Sequence, residues 1–223
     1  MPLASWKDLC IDAADAEVVG RFWAEALGQD LELLDDGDSV VRGPALADLW
    51  VNTVPEPKSG KNRVHLDLYA PDVPALLELG ATELARHDGW TVLADPEGNE
   101  LCAFPGVAGA APARAFAVCV DSAQPVELAA WWHQVLGGEV RPGPDGRPRW
   151  LHGGAGLDGL VLKAVQVDDP NPGKNRCHWD VIAADVQALV DAGATVLRGR
   201  DTTISWTVCA DPQGNEFCAF DPR

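Results

Sequence analysis

The sequence predicts an α+β protein made of two tandem halves, each built from two β-α-β-β-β units. Three observations lead there. Long motifs recur in the same order along the chain. Each half alternates short strand-like runs with two helical patterns. A Gly/Ala/Pro segment, Pro105-Gly106-Val107-Ala108-Gly109-Ala110-Ala111-Pro112, separates the copies as a linker would.

The repeats are specific. Gly60-Lys61-Asn62-Arg63-Val64-His65-Leu66-Asp67 returns as Gly173-Lys174-Asn175-Arg176-Cys177-His178-Trp179-Asp180. Ala94-Asp95-Pro96-Glu97-Gly98-Asn99-Glu100-Leu101-Cys102-Ala103-Phe104 returns over 210–220 with two changes, Gln213 and Phe217. Phe22-Trp23 before Leu27-Gly28 matches Trp131-Trp132 before Leu136-Gly137, and Cys10-Ile11-Asp12 matches Cys119-Val120-Asp121. The expected domains are 1–107 and 114–223, with a linker at 108–113.

Within the first half, an apolar strand over 9–12 leads into a helix over 16–27. Val18, Val19, Phe22, Trp23, Ala26 and Leu27 fall on one face of that helix, and Gly28 stops it. Strands follow, the last over 46–54. The Lys-Asn-Arg segment opens a strand running to residue 69, and a second helix over 73–79 ends at Gly80. Strands at 91–94 and 100–104 flank Asp95-Pro96-Glu97-Gly98, a turn by its chemistry. The second half reads the same way. Two stretches read as loops: the acidic Asp35, Asp36 and Asp38, and a turn-rich connection over 141–152 that could reach across a binding site. His133 and His152, unique to the second half, are weak catalytic candidates.

Charge excludes some partners. The chain carries 34 acidic against 17 basic side chains, a formal −17, and most of the excess lies in the first half. That balance argues against nucleic acid, which needs a basic face, and against an anionic membrane surface. No apolar run approaches the length of a membrane span, and no export signal is evident, so the expected location is cytoplasmic. The six cysteines form no Cys-x-x-Cys pair; reduced, they behave as small buried hydrophobes.

The unit order, Phe-Trp before Leu-Gly, and the closing Asp-Pro-x-Gly-Asn-Glu together resemble the vicinal oxygen chelate superfamily, in its glyoxalase-like, bleomycin-resistance-like branch. The resemblance implies curled sheets forming ligand-holding cups, in each domain from its two units. It also implies a divalent metal, held from the first strand, the last strand of the first unit, the opening of the second unit, and a Glu near the end. Carried over, the opening position matches His65 and His178, which are also the catalytic candidates. The closing Glu is replaced by Cys102 and Cys218. The last strand of the first unit offers Trp50 and Lys163, neither a plausible ligand. The first-strand position falls near Trp6 or Asp8, and near Ala115. His65, His178, Cys102, Cys218 and Asp8 are therefore the metal candidates, a set short of the ligands a catalytic metal wants. Asp67 and Asp180 share a strand face with the two histidines.

Identity between two halves of one chain marks scaffold more often than site, because both copies must fold but need not both react. Glu100, Glu216, Arg63 and Arg176 are read as structural on that ground. Nine Trp against one Tyr is unusual, and Trp6, Trp50, Trp150 and Trp179 have no Trp counterpart. These four, with Lys163, are the candidate ligand-binding residues, because Trp stacks on planar or cationic ligands. The first expectation is a small-molecule binder of hydrophobic or cationic ligands in Trp-lined cups, suited to sequestering a toxic compound, with no cofactor and a divalent metal only as an option. The alternative is a metal-dependent isomerase, lyase or dioxygenase working through His65 or His178. A regulatory or structural module is the third. The two halves are expected to pack on each other, in a monomer or a homodimer.

Overall fold

A computed structural model describes residues 1–43, 48–106, 112–168, 170 and 173–222. The expected linker at 108–113 and the start of the strand expected over 46–54 lie largely outside these residues.

The elements are β1 (Ser5–Ala13), α1 (Ala16–Leu27), β2 (Asp30–Leu33), β3 (Ser39–Arg42), β4 (Leu49–Thr53), β5 (Val64–Ala70), α2 (Val73–Glu78), β6 (Thr82–His87), β7 (Trp90–Ala94) and β8 (Glu100–Pro105). The second half repeats them as β9 (Arg114–Ser122), α3 (Pro125–Leu136), β10 (Glu139–Pro142), β11 (Pro148–His152), β12 (Val161–Gln166), β13 (Cys177–Ile182), α4 (Val186–Asp191), β14 (Thr195–Arg198), β15 (Thr207–Ala210) and β16 (Glu216–Phe220). Four β-α-β-β-β units result, as expected. The 141–152 segment is not a connection over a site: it contains the β10–β11 hairpin at a sheet edge, Val140 facing Leu151 and Arg141 facing Trp150.

Local chemistry sets the helix ends. Asp15 caps α1 by accepting the Val18 N–H at 3.0 Å. Val18 itself, expected on the buried face, is 43 % exposed, because one residue before Val19 it is turned about 100° away from the core. Gly28 closes it at φ 61°, a left-handed conformation natural to glycine, and its N–H returns to Glu25. Mid-helix Gly20 lets α1 approach β3, since a Cβ there would lie 2.3 Å from Ser39 Oγ. The Ser39 hydroxyl donates to the Ala16 carbonyl at 2.7 Å across the same contact.

The sixteen strands make two eight-stranded sheets. The first runs β14-β15-β16-β13-β1-β4-β3-β2 and the second β10-β11-β12-β9-β5-β8-β7-β6. Each sheet thus joins one unit from each half, through an antiparallel central pair, β1 with β13 or β5 with β9. The first and fourth units share one cup and the second and third share the other, where the resemblance placed both units of one cup in one domain. The repeat could not distinguish these arrangements. Units one and three are alike, as are two and four, and a sheet needs one of each kind in either case. A consequence follows for charge: the acid-rich first half contributes one unit to each cup, so it does not make a single acidic cup.

The chain passes between sheets at the two repeated Lys-Asn-Arg segments. Lys61 pairs with Asp121, and Lys174 pairs with Asp12 at 2.7 Å. Asn62 Nδ2 donates to Asn99 Oδ1 at 2.9 Å, and Asn175 Nδ2 donates to Asn215 Oδ1. One hydrophobic core runs through both halves, from Leu9, Ile11 and Trp23 to Val64, Trp132, Trp179 and Phe217.

One difference between the two crossovers lies at Glu97 and its counterpart Gln213. Glu97 accepts the backbone N–H groups of Ala14 and Asp15 and pairs with Arg176 at 3.2 Å. Its counterpart Gln213 accepts the Ser122 hydroxyl and donates to the Gln124 carbonyl. Arg63, only 4 % exposed, keeps one terminal nitrogen with no hydrogen-bond partner among the described residues. Glu97→Ala is therefore expected to cost about 3 kcal/mol, since it removes the carboxylate from the buried Arg176 guanidinium, leaving it the Glu56 carbonyl, and frees two backbone N–H groups at the start of α1. Gln213→Ala is expected to cost about 1 kcal/mol, the loss of neutral hydrogen bonds. Urea denaturation of both variants checks this; equal costs would contradict the asymmetry.

Candidate functional site

The second sheet's cup centres on the β5–β9 pair. His65 faces Cys119 in register, and Asp67 lies two residues on, hence on the same face. Cys102 on β8 faces Asp67, and Lys163 on β12 faces Cys119. The Lys163 ammonium donates to Asp67 Oδ2 at 2.8 Å, while His65 Nε2 lies 3.7 Å from the other carboxylate oxygen. Burial lowers the His65 pKa, so the imidazole is neutral near pH 7 and this is not an ion pair. Burial also pushes the Cys102 thiol up to about 12 and raises Cys119 well above its ordinary value.

Rings surround that polar floor. Lys163 Nζ sits 4.4 Å from the Phe116 ring centroid, 4.9 Å from Trp150 and 5.8 Å from Phe104. A strip of contacts continues outward: Tyr69 stacks on Phe116 at 4.0 Å, Phe104 packs edge-on to Phe116, and Trp90 stacks on Phe104 at 6.0 Å. Tyr69 and Trp90 remain 40 % and 36 % exposed.

The first sheet builds the same constellation from other units. Cys10 faces His178, Asp180 shares their face, Cys218 faces Asp180, and Trp50 faces Cys10. Here the lysine comes from elsewhere. Lys7 sits at the bulge in β1, contacts Asp8, and lies 3.5 Å from Asp180. Its ammonium is 4.7 Å from the Phe220 ring and 5.8 Å from Trp50. Trp50 Nε1 donates to Asp8 at 3.1 Å, and Trp206 stacks on Phe220 at 5.4 Å. Burial raises the Asp180 carboxyl, opposed by His178 and Lys7.

Phe116 occupies the bulge in β9 that Lys7 occupies in β1, and Lys163 faces Cys119 as Trp50 faces Cys10. Cation and ring have exchanged places between the cups. In both, an ammonium stands near the central aspartate: Lys163 donates to Asp67, and Lys7 donates to Asp8 with Asp180 3.5 Å away.

Trp50, Trp150 and Lys163 lie on the cup faces, as do His65, His178, Cys102, Cys218 and Asp8. Trp6 and Trp179 do not. Trp179 alternates with His178 and Asp180 and so points to the opposite side, 0 % exposed. Trp6 is moved off the cup face by the β1 bulge, which shifts every upstream residue to the other face. The two rings stack at 5.4 Å in the core. Sequence reasoning missed Lys7, Cys10, Cys119, Phe104 and Phe116. Cys10 and Cys119 carried a signal, their place in a repeated tripeptide; Lys7 and Phe116 carried none, because a bulge is not legible in strand alternation.

The repeated acids are scaffold. Asp95 accepts the N–H groups of Glu97 and Asn99, the Asn99 amide and Trp23 Nε1. Asp211 accepts the N–H groups of Gln213 and Asn215, and Trp132 Nε1. Glu100 accepts the Asn62 N–H and pairs with Lys58; Glu216 accepts the Asn175 N–H.

Paired units curling into two cups with a His-Asp-Cys floor define the class of protein. A glyoxalase-like domain family model matches residues 8–104 and 117–220, and the chain belongs to this family, in tandem form, within the vicinal oxygen chelate superfamily. Glyoxalase I from Zea mays superposes with TM-score 0.63 at 16 % identity, over 98 % of this chain and 92 % of that one. A putative dioxygenase from Bacillus subtilis gives 0.58 at 13 %, over 99 % and 86 %. The cppA protein of Streptococcus pneumoniae gives 0.53 at 10 %, over 98 % and 99 %. These likenesses carry the fold alone. No curated protein sequence matches the chain. Among the described residues no helix is long and apolar enough to cross a membrane.

The family implies a divalent metal. Two groups bring possible ligand atoms within 4.8 Å of one another: Cys10, His178 and Asp180, and His65, Asp67 and Cys119. The donor types suit a borderline-soft ion such as zinc. The surroundings do not. Each triad's aspartate already lies beside a lysine ammonium, which opposes a second cation there. As the chain stands, the triads do not fit the ion.

Proposed function

We propose that the protein binds small planar molecules, hydrophobic or cationic, in its two aromatic cups, and that this binding needs no metal. The observation that carries this reading is the strip of rings from Phe116 through Phe104 to Trp90, open to solvent at Tyr69 and Trp90. Partly exposed rings in contact along one face of a sheet offer a surface for another flat molecule. The same rings already hold a cation, Lys163, at cation–π distances. In the first cup, Trp50 and Phe220 stand around the Lys7 ammonium, and Trp206 extends that surface by stacking on Phe220. Sequestration of a toxic compound is the role such binding suits.

Titrating the purified protein with a planar cation such as ethidium, and with a neutral naphthol, tests this through tryptophan fluorescence. Saturable quenching is expected. Trp90→Ala should weaken binding in the second cup about tenfold, the worth of one ring contact. Absence of saturable quenching by either probe would remove the reading.

The triads are the one observation favouring a metal-dependent enzyme acting through His65 or His178. That reading requires a stoichiometric metal in the purified protein, lost in His65→Ala and His178→Ala.

A further inference from the structure

The two cups solve the same electrostatic problem by different routes. Each has a buried aspartate on the same face as a histidine and a cysteine, their ligand atoms within 4.8 Å of one another. Each brings one ammonium to that aspartate: Lys163 donates to Asp67 at 2.8 Å, and Lys7 lies 3.5 Å from Asp180 while donating to Asp8 beside it. The lysines are not equivalent in the repeat. Lys163 comes from β12 on one flank of the central pair, and Lys7 from the bulge of β1 in the pair itself. Where one cup has lysine, the other has an aromatic ring. A duplicated feature kept at the same position is explained by shared descent. A charge kept in place while its residue has moved is better explained by what the charge does.

We infer that Lys163 and Lys7 are resident cations that take the place of a divalent ion and keep the two Cys-His-Asp triads metal-free. The ammonium supplies the positive charge the buried aspartate needs, since an uncompensated carboxylate there would be costly. It also opposes entry of a second cation. A divalent ion at a triad would lie within a few ångströms of the ammonium, where repulsion is strong in a partly buried site. The lysine is not free to swing away at no cost. Three rings cradle Lys163 and two cradle Lys7, and each contact favours the charged head where it is. Lysine and metal are therefore mutually exclusive occupants. This holds whatever the cups bind.

Cobalt(II) is the probe, because thiolate ligation to it gives a near-ultraviolet charge-transfer band and bound metal can be counted by equilibrium dialysis. Binding at a triad displaces the Cys119 or Cys10 thiol proton to solvent. The wild-type protein is expected to take up no stoichiometric cobalt and to show no such band. Lys163→Met and Lys7→Met, which keep length and packing but remove charge, should each gain one site, with affinity raised by at least about 100-fold. The gain should vanish when Cys119→Ala or Cys10→Ala is added in the same cup. Lys163→Arg, which keeps the charge, should gain nothing. Circular dichroism identifies a variant that fails to fold, and because the cups are separate, the other lysine then carries the test. Two overturning results are clear. One is a wild-type protein that already binds cobalt through thiolate. The other is a pair of folded Lys→Met variants that bind no more than wild type.

Discussion

Trp179→Ala is expected to destabilise the protein by about 4 kcal/mol, the range for truncating a large buried ring. For a chain of this length that corresponds to a fall in melting temperature of roughly 10 °C. The size follows from position. Trp179 is fully buried on β13. It stacks on Trp6 of β1 and meets Trp132 of α3 edge-on at 4.9 Å, and Trp132 in turn packs on Phe217 at 5.2 Å. One ring thus joins the first, third and fourth units. Its removal opens a cavity that the sheet cannot close without breaking the β1–β13 register. Trp179→Phe should cost much less, since it keeps most of the buried area and deletes an indole N–H that has no partner among the described residues. Trp50→Ala, on the cup face, should change stability by about 1 kcal/mol or less, because the residue is only half-buried and its loss leaves no closed void. Chemical denaturation ranks the three. A Trp50→Ala variant less stable than Trp179→Ala would mean that the faces have been assigned the wrong way round.

That contrast shows how far the sequence could be read. The repeat and the turn chemistry were enough for four units, for α1 ending at Gly28, and for the Asp-Pro-x-Gly hairpins. These features are set by local rules acting over a few residues. The pairing of units was not legible, because like units are interchangeable in the motif. The tryptophans were legible only in part. Trp179 could have been placed from its neighbours, since it alternates with two cup residues. Trp6 could not, because the bulge that turns it inward is a property of the β1–β13 ladder and leaves no mark in β1 alone. The same bulge delivers Lys7 to Asp180. Of the residues that distinguish one cup from the other, Trp50 and Lys163 were legible in the sequence, while Lys7 and Phe116, both placed by a bulge, were not.

Asp95→Ala is the second large effect, at about 4 kcal/mol, because it strands several buried donors at once and each costs about 1–3 kcal/mol before relaxation. The carboxylate is almost fully buried. It collects the N–H groups of Glu97 and Asn99, the Asn99 side-chain amide at 2.9 Å, and Trp23 Nε1 at 3.3 Å. Burial still pushes its carboxyl above the usual range, with all four donors acting the other way. The Asn99 amide oxygen then receives Asn62 from the crossover. A hairpin turn in one unit, the α1 helix of another and the passage between sheets therefore hang on one side chain. Asp95→Asn should recover part of the loss, about 2 kcal/mol, since one oxygen still accepts while the new amide opposes the remaining donors. Asp211→Ala should behave alike, because Asp211 accepts Gln213, Asn215 and Trp132 in the equivalent places. Such losses would accompany any role for the repeated acids in the scaffold. A catalytic role would show the reverse, a stable Asp95→Ala variant with impaired ligand binding in a cup that the residue does not touch.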